Sequence, residues 1–191
     1  MPKHHTPIKR CHWVPIDNTL YARYHDTEWG VPARDDRTLF EFLLLESAQA
    51  GLSWETILKR RDGYRKAFAN FDAKKIARFG ARDIACLMGD EGIIRNRLKI
   101  ESAIGNARIF LALQQEFGSF STYAWKFVSG KTEHSPKGKI RVTSPSAEAL
   151  SADLKRRGYK FFGPVIAYAF MQATGLIDDH TPNCFRYRAK T

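Results

Sequence analysis

The 191-residue sequence predicts an all-α fold. Apolar residues recur at three- and four-residue spacing along most of the chain, capping residues stand where these patterns begin, and alternating runs typical of strands are few. No internal repeat interrupts this pattern. With 43% hydrophobic residues, a chain of this length can bury one core, or two small lobes that share an interface.

The first two predicted helices follow from their caps. Asp36 is expected to cap a helix that Gly51 ends, because aspartate accepts a backbone hydrogen bond at a helix start and glycine adopts the conformation that stops a helix. Ser53 is expected to cap a second helix, which runs from Trp54 towards Phe68.

The middle of the chain contains a pair of helices joined by a glycine-rich turn. Asp72 is expected to begin a short helix, and a segment at 82–88 leads through the turn at 89–92 into a longer helix. Four apolar residues share one face of that longer helix: Ile100, Ile104, Ala107 and Leu111.

The last third of the chain combines a polar stretch with two helices. Residues 129–143 are basic and rich in Gly, Ser and Lys, so we expect an exposed loop there and treat it as a candidate flap. Ser144 followed by Pro145 predicts a helix start, and Gly158 its stop. A final helix is expected at about 164–174.

Glu46 is the only charged residue between Phe42 and Trp54. On a helix it shares a face with Leu39, so the carboxylate emerges among groups that normally pack into a core. Most helical glutamates are solvated, which is the ordinary interpretation. If Glu46 is buried and no protein cation pairs with it, a polar or cationic ligand could, and Glu46 is therefore a candidate recognition group.

The charge balance indicates the class of partner. The chain has 31 Lys and Arg against 20 Asp and Glu, a net charge of +11, which favours a polyanion and above all nucleic acid. A basic protein without such a ligand is the alternative. The three cysteines argue against a disulfide framework and for a reducing, cytoplasmic location. The sequence contains no secretion signal and no apolar run of membrane-span length, so we expect no membrane contact.

Four potential metal ligands lie at the two ends of the chain: Cys11, His25, His180 and Cys184. Two thiolates and two imidazoles complete a tetrahedral zinc shell, which would be structural and would tie the termini together. The thirteen-residue gap between the first two matches no short finger motif, so free cysteines and surface histidines are the alternative. His4 and His5 are treated as decoys, and His12 could replace Cys11 or His25.

Two further groups of residues suggest nucleic-acid chemistry. The glycine turn at 89–94, which contains Gly92 and Ile94, precedes three cations, Arg95, Arg97 and Lys99. Such a turn can present backbone N–H groups to a phosphate, although an ordinary turn with solvated charges is the alternative. Five aromatic residues cluster in sequence around Glu46: Trp13, Tyr21, Tyr24, Trp29 and Trp54. Flat aromatic walls suit a stacked heterocycle, although most such residues belong to a core.

Six motifs carry a family resemblance that spans nearly the whole chain. They are Cys-x-Trp-Val at 11–14, Tyr-His-Asp-x-Glu-Trp-Gly-Val-Pro at 24–32, Leu-Glu-x-x-Gln-Ala-Gly-Leu-Ser-Trp at 45–54, Gly-Ile-Ile-Arg-x-Arg at 92–97, Ile-x-Asn-Ala-Arg at 104–108 and Phe-Met-Gln-Ala-x-Gly-Leu-x-x-Asp-His at 170–180. In this order they resemble the 3-methyladenine DNA glycosylase I family, within the helix-hairpin-helix DNA glycosylase superfamily. Departures are expected at His12, Ala48 and Leu98.

The resemblance implies a fold and an activity. Residues 1–191 would form a single catalytic unit, in which the N-terminal segment and the C-terminal helices make one lobe with a structural Zn²⁺ clamp and region 70–125 contains the helix-hairpin-helix. The enzyme would excise N3-methyladenine from alkylated double-stranded DNA and release the free base. A monomer is expected, because such an enzyme approaches DNA with one face.

The resemblance also implies residue roles. Glu46 would contact the extruded base and act in catalysis, with Tyr24 and Trp54 forming the pocket. Trp13 and Tyr21 would lie nearby. Gln49 and Leu52 match the segment that enters the gap left in the duplex. The predicted DNA contacts of the hairpin are Gly92, Ile94, Arg95, Arg97 and Lys99, and the zinc ligands are Cys11, His25, His180 and Cys184.

Two residue types that are absent from particular stretches of the sequence refine the expected mechanism. The sequence has no aspartate between Asp90 and Asp153, where the wider superfamily has its catalytic aspartate, and no lysine at 84–94, where lyase-active relatives have their amine. We therefore expect simple hydrolysis without strand cleavage, with an ionised Glu46 that selects a cationic purine. The rival hypotheses are a non-enzymatic zinc-containing DNA-binding module and a glycosylase for another lesion.

Overall fold

Helices dominate the chain, in agreement with the predicted fold class. The computed structural model describes residues 8–135 and 141–187. The described residues form nine α-helices and two short strands: α1 Thr19–Thr27, α2 Asp36–Gln49, α3 Trp54–Ala67, α4 Ala73–Ile76, α5 Ala81–Gly89, α6 Arg97–Phe117, α7 Phe120–Lys126, β1 Glu133–His134, α8 Pro145–Arg156, α9 Pro164–Ala173 and β2 Ile177–Asp178. A 3₁₀ turn at Ala69–Phe71 separates α3 from α4.

Three predicted caps are confirmed. The Ser53 side chain accepts a hydrogen bond from the N–H of Thr56 at the start of α3, and Asp72 does the same for α4. Ser144 caps α8, in which Pro145 is the first helical residue. Short-range hydrogen bonds of this kind depend only on neighbouring residues, which is why the sequence predicts them.

The predicted cap of α2 is wrong by one residue. Asp35 is the N-cap and accepts a hydrogen bond from the N–H of Thr38 at 2.8 Å. The Asp36 carboxylate instead accepts from the N–H groups of Phe120 and Ser121, at 2.9 and 2.8 Å. Asp36 therefore supports the start of α7, a helix that the sequence analysis did not predict.

Helix α1 and both strands were also missed. Helix α1 is short and mostly polar, and its cap, Asn18, lies in a loop of mixed composition. Strand β1 lies inside the stretch at 129–143 that was expected to be a loop, and it pairs in parallel with β2. The tertiary pairing of two-residue strands leaves no periodicity in the sequence. Residues 136–140, in the same stretch, lie outside the described part of the chain.

Helix α2 is the central element of the fold. It packs against α3, α6, α7 and α9. Every residue from Leu39 to Ala48 is buried, including Glu41 and Glu46. Apolar residues occur all round this helix because it is buried on all sides.

The turn between α5 and α6 is held against α3. The backbone of Gly92 approaches α3 so closely that a Cβ on Gly63 would lie 2.1 Å from the Gly92 carbonyl oxygen. Nearby, the Tyr64 hydroxyl accepts a hydrogen bond from the N–H of Ile94 at 3.3 Å, and Arg60 donates to the carbonyl of Glu91. These contacts fix the turn relative to the core.

The two ends of the described chain meet beside α1. The N–H of Phe185 donates to the carbonyl of Lys9 at 2.9 Å. Arg10 forms an ion pair with Asp26 at 2.7 Å on the same side. Within residues 8–135 and 141–187, no helix combines the length and apolar character that a membrane span requires.

The close approach at Gly63 yields a test of the fold. Gly63→Ala should lower the free energy of unfolding by about 2–3 kcal/mol, because the added methyl group overlaps backbone atoms that cannot move independently. Urea unfolding measures the change. Gly105→Ala is the matched control: Gly105 is also in a helix, but a Cβ there has open space. That substitution should be neutral or stabilising by up to about 1 kcal/mol. Equal effects of both substitutions would contradict the packing.

Candidate functional site

A cavity of about 350 Å³ opens where α1, α2, α9 and the start of α3 meet. Its lining residues are His12, Trp13, Tyr21, Tyr24, Trp29, Glu46, Gln49, Trp54, Ala169 and Gln172. All five residues predicted to contact a base are among them. The structure therefore brings together side chains that are up to 41 positions apart in the sequence, from Trp13 to Trp54.

Glu46 is the buried acid of this cavity. Its residue is 3% exposed, and its Oε2 atom has no hydrogen-bond partner in the described chain. Burial raises the pKa of the Glu46 carboxyl to about 8. Burial by itself therefore favours the neutral form of this carboxyl. The expectation of an ionised Glu46 concerned a pocket occupied by a cationic purine, and it stays a prediction.

A second buried glutamate on α2 differs from Glu46 in its hydrogen-bond partners. Glu41 Oε1 accepts hydrogen bonds from Arg61 at 2.7 Å and from Arg65 at 3.0 Å. Arg61 also pairs with Glu28. The described chain thus supplies cations to one buried glutamate and none to the other, one and a half turns further along the helix.

Aromatic rings form the walls of the cavity. Tyr24 lies beside Trp54, with ring centroids 5.5 Å apart, and Trp13 contacts Tyr21 at 5.8 Å and Trp29 at 4.9 Å. The indole Nε1 of Trp54 is buried without a hydrogen-bond partner in the described residues. The cavity therefore combines flat apolar walls with an unpaired donor and an unpaired carboxyl oxygen, which suits a polar heterocycle.

Some lining residues had no predicted role in base binding. Trp29 was noted only as part of the aromatic cluster, and His12 was weighed as a metal ligand, whereas its exposed side chain lines the cavity. Gln172 lies in the 170–180 motif, which was the available signal. Its Nε2 donates to Asp179 at 2.8 Å, and this hydrogen bond orients the amide.

The segment after Glu46 forms the rim. Gln49 lines the cavity, and Leu52 is 39% exposed in the turn between α2 and α3. The N–H of Leu52 donates to the carbonyl of Gln49 at 2.6 Å, so the turn is tight. An exposed leucine beside an aromatic cavity has the shape expected of an apolar wedge.

The predicted DNA contacts near the glycine turn divide into two groups. Arg95 and Arg97 are exposed and make only long ion pairs, at 3.8 and 3.5 Å. By contrast, the N–H of Gly92 is engaged with Asp90 Oδ1 at 2.7 Å, and that of Ile94 with Tyr64. The expectation of free backbone donors at those two positions is therefore wrong.

Lys99 also departs from its predicted role. Its Nζ donates to the carbonyl oxygens of Ala48 and Ala50, at 2.8 and 2.6 Å. Burial lowers the pKa of this ammonium. The side chain turns towards α2 and does not extend into solvent as those of its arginine neighbours do.

The predicted metal ligands meet beneath the cavity. The ligand atoms of Cys11, His25 and Cys184 all lie within 4.8 Å of one another, and all three residues are buried. The distance from Cys184 Sγ to His25 Nε2 is 3.3 Å. Residues separated by more than 150 positions therefore form one cluster.

His180 stands beside this cluster. Its ring centroid is 5.2 Å from that of His25, and its Nε2 atom is buried without a partner in the described chain. The other ring nitrogen of each histidine contacts a carboxylate, at 2.6 Å from Asp178 and at 2.8 Å from Asp26. This carboxylate–histidine arrangement is of the kind that orients ligating histidines in zinc sites.

Comparisons with known proteins agree with these observations. The family model for methyladenine glycosylases matches residues 13–187. The chain is 45% identical over 183 residues to DNA-3-methyladenine glycosylase 1 of Escherichia coli (strain K12), which covers 94% of this chain and 97% of that protein. Its fold is similar to a crystal structure of 3-methyladenine DNA glycosylase I, with a TM-score of 0.90, 45% identity and coverage of 94% and 100%. It is also similar to a tyrosine-to-phenylalanine variant of 3-methyladenine DNA glycosylase I in complex with 3-methyladenine, with a TM-score of 0.86, 38% identity and coverage of 92% and 96%.

The buried carboxyl predicts a pH dependence of stability. The folded-state pKa of Glu46 is raised from 4.5 to about 8, so its contribution to stability is complete below pH 4.5 and is lost as the pH rises towards 8. Glu46→Gln removes this titration. The free energy of unfolding of the variant relative to the native protein should therefore increase by roughly 4 kcal/mol between about pH 5 and pH 8.5. Urea unfolding across this range measures it, and a pH-independent difference would contradict the buried neutral acid.

Proposed function

Because this chain belongs to the methyladenine glycosylase family, we propose that its aromatic cavity receives N3-methyladenine swung out of alkylated double-stranded DNA. The enzyme excises 3-methyladenine in DNA repair, by hydrolysis of the bond between the base and deoxyribose. The observation that carries the assignment to this cavity is the buried Glu46 carboxyl, which has no cation beside it among residues 8–135 and 141–187 and is surrounded by aromatic rings.

Charge complementarity is the basis of selection. N3-methyladenine carries a positive charge within the nucleoside, and a cation next to a buried carboxyl lowers the pKa of that group. Glu46 then loses its proton and accepts a hydrogen bond from the exocyclic amine, while Trp54 and Tyr24 stack on the purine. An unmodified adenine has no charge to offset the desolvation of the carboxylate. The predicted ionised state of Glu46 thus applies to the complex.

The charge on the substrate also limits what the enzyme must supply. The positive ring already weakens the glycosidic bond. As that bond breaks, the electron pair goes to the base, which leaves neutral, and water adds to the sugar carbon and gives its proton to solvent. Of the side chains that line the cavity, Glu46 is the acidic one, and no lysine is among them. Hydrolysis without strand cleavage fits this set of residues.

The damaged base must first leave the duplex, at a cost of a few kcal/mol. Leu52 and Gln49 are suited to enter the gap, because they lie at the rim of the cavity. The α5–turn–α6 unit would serve as the helix-hairpin-helix that holds the DNA backbone, with the exposed Arg95 and Arg97 next to phosphates. A monomer is proposed, because an enzyme of this kind approaches DNA with one face.

A structural Zn²⁺ completes this proposal. Cys11, His25, His180 and Cys184 would hold it, a closed set of two thiolates and two imidazoles that leaves no position for a reacting water. The buried Nε2 of His180, which lacks a partner in the described chain, supports this assignment. The ion would join the two ends of the chain beneath Trp13 and Trp29, whose rings contact His25.

Base release tests the enzymatic proposal. Incubation with methylated duplex DNA, followed by chromatography of the small products, should yield free N3-methyladenine. Glu46→Gln should lower the single-turnover rate about 10- to 100-fold, because a charge-assisted hydrogen bond is worth about 1.5–3 kcal/mol. Glu148→Gln, at an exposed glutamate on α8, is the control and should leave the rate unchanged.

The same assay separates the rival functions. Duplex binding without any released base would support the non-enzymatic DNA-binding module and contradict the enzyme. Release of a different base would assign another lesion. An unchanged rate and selectivity of Glu46→Gln would remove the proposed role of the carboxylate and leave the activity itself intact.

Elemental analysis tests the metal. The purified protein should contain about one zinc per chain after dialysis, and removal of the ion by a chelator should lower the thermal midpoint. Cys184→Ser should abolish zinc retention, whereas Cys86→Ser, at an exposed cysteine on α5, should preserve it. A native protein that contains no metal and does not respond to chelator would refute the clamp.

A further inference from the structure

Lys99 makes an unusual contact for a residue in a basic run. It lies in the first turn of α6, directly after Arg97 and Leu98, which are exposed. Its Nζ nevertheless donates to two carbonyl oxygens at the end of α2, those of Ala48 and Ala50. The last carbonyls of a helix lack partners within it, and a cation there also opposes the negative end of the helix dipole.

The position of these two carbonyls connects Lys99 to the site. Gln49, which lines the cavity, is the residue between them, and the exposed Leu52 follows Ala50 by two positions. Two hydrogen bonds from one ammonium therefore hold the backbone on both sides of Gln49. Glu46 lies on the same last turns of α2.

The other end of this connection is the α5–α6 turn. Helix α6 begins at Arg97, immediately after that turn, and Asn96 caps it through the N–H of Lys99 itself. Packing against Gly63 and the hydrogen bond from the N–H of Ile94 to the Tyr64 hydroxyl hold this turn in place. Lys99 thus joins an anchored turn to the rim of the cavity.

We propose that Lys99 is a positioning residue that sets the segment from Gln49 to Leu52 relative to the α5–α6 turn. A duplex held at the turn then meets Leu52 and the cavity opening in register. The inference rests on the proposed function and assigns to Lys99 a role other than a phosphate contact. Its effect belongs to the step in which the base is moved and aligned, because misplacement by about 1 Å can cost about 100-fold in rate.

Four variants separate positioning from DNA affinity. Lys99→Met keeps most of the apolar stem and removes the donors, and Lys99→Arg keeps the charge and donors. Arg97→Met removes an exposed cation two residues away, and Lys155→Met removes an exposed lysine on α8 as a matched control. The measurements are the single-turnover excision rate at saturating methylated duplex, the salt dependence of duplex binding, the binding of free 3-methyladenine and the unfolding midpoint.

Positioning predicts a distinct pattern. Lys99→Met should lower the saturated rate about 10- to 100-fold, with unchanged binding of free base and an unchanged salt slope, and Lys99→Arg should restore most of the rate. Arg97→Met should instead weaken duplex binding and reduce the salt slope by about 1. Lys155→Met should resemble the native protein.

Three results would overturn the inference. A salt slope lowered by about 1 in Lys99→Met, with the native saturated rate, would make Lys99 a phosphate contact. Parallel losses of free-base binding, folding and rate would make it merely structural. If Lys99→Met matched the native protein in excision rate, duplex binding, free-base binding and unfolding midpoint, Lys99 would have no role in positioning. Since the native protein is measured in the same assay, failure to release N3-methyladenine at all would identify a failure of the proposed function itself.

Discussion

A carboxyl group buried without a cation from the described part of the chain is the constraint around which this structure is arranged. Taking Glu46 out of water is unfavourable unless the group stays neutral or meets a positive charge. The protein keeps it buried by surrounding α2 with other helices, and it keeps an open cavity beside it by walling the space with rigid aromatic rings. The free protein therefore holds an acid that becomes a good acceptor when a cation arrives.

The contrast within α2 explains how one helix carries both stability and recognition. Glu41 is satisfied by Arg61 and Arg65 and belongs to the scaffold. Glu46 has no such partner in the described chain, and under the proposed function its unfavourable burial would be the source of selectivity. Uncharged bases would gain nothing from a carboxylate that must first be ionised, whereas a cationic purine would stabilise the ionised form. Under that proposal the arrangement supplies selection and positioning rather than strong acid catalysis.

Helix starts were predictable where the hydrogen bond is local. Ser53 and Ser144 cap the helices that follow them, because a side chain and a backbone N–H three residues apart need no distant partner. Asp36 and Lys99 were misjudged for the opposite reason. Both were interpreted from their neighbours in sequence, yet each side chain bonds to backbone atoms of a helix many residues away. Such contacts leave no spacing pattern in the chain.

Periodicity, charge and ring chemistry are properties of the residues themselves, so the helical class, the isolation of Glu46 and the aromatic residues around it could be predicted from the amino-acid sequence. The pairing of the charges was settled by the packing of the helices. That packing places Arg61 beside Glu41 and places no cation of the described residues beside Glu46. It also directs the Lys99 side chain towards the end of α2. The reason is physical: ionisation and pairing depend on burial and distance, and both are set by how the helices pack.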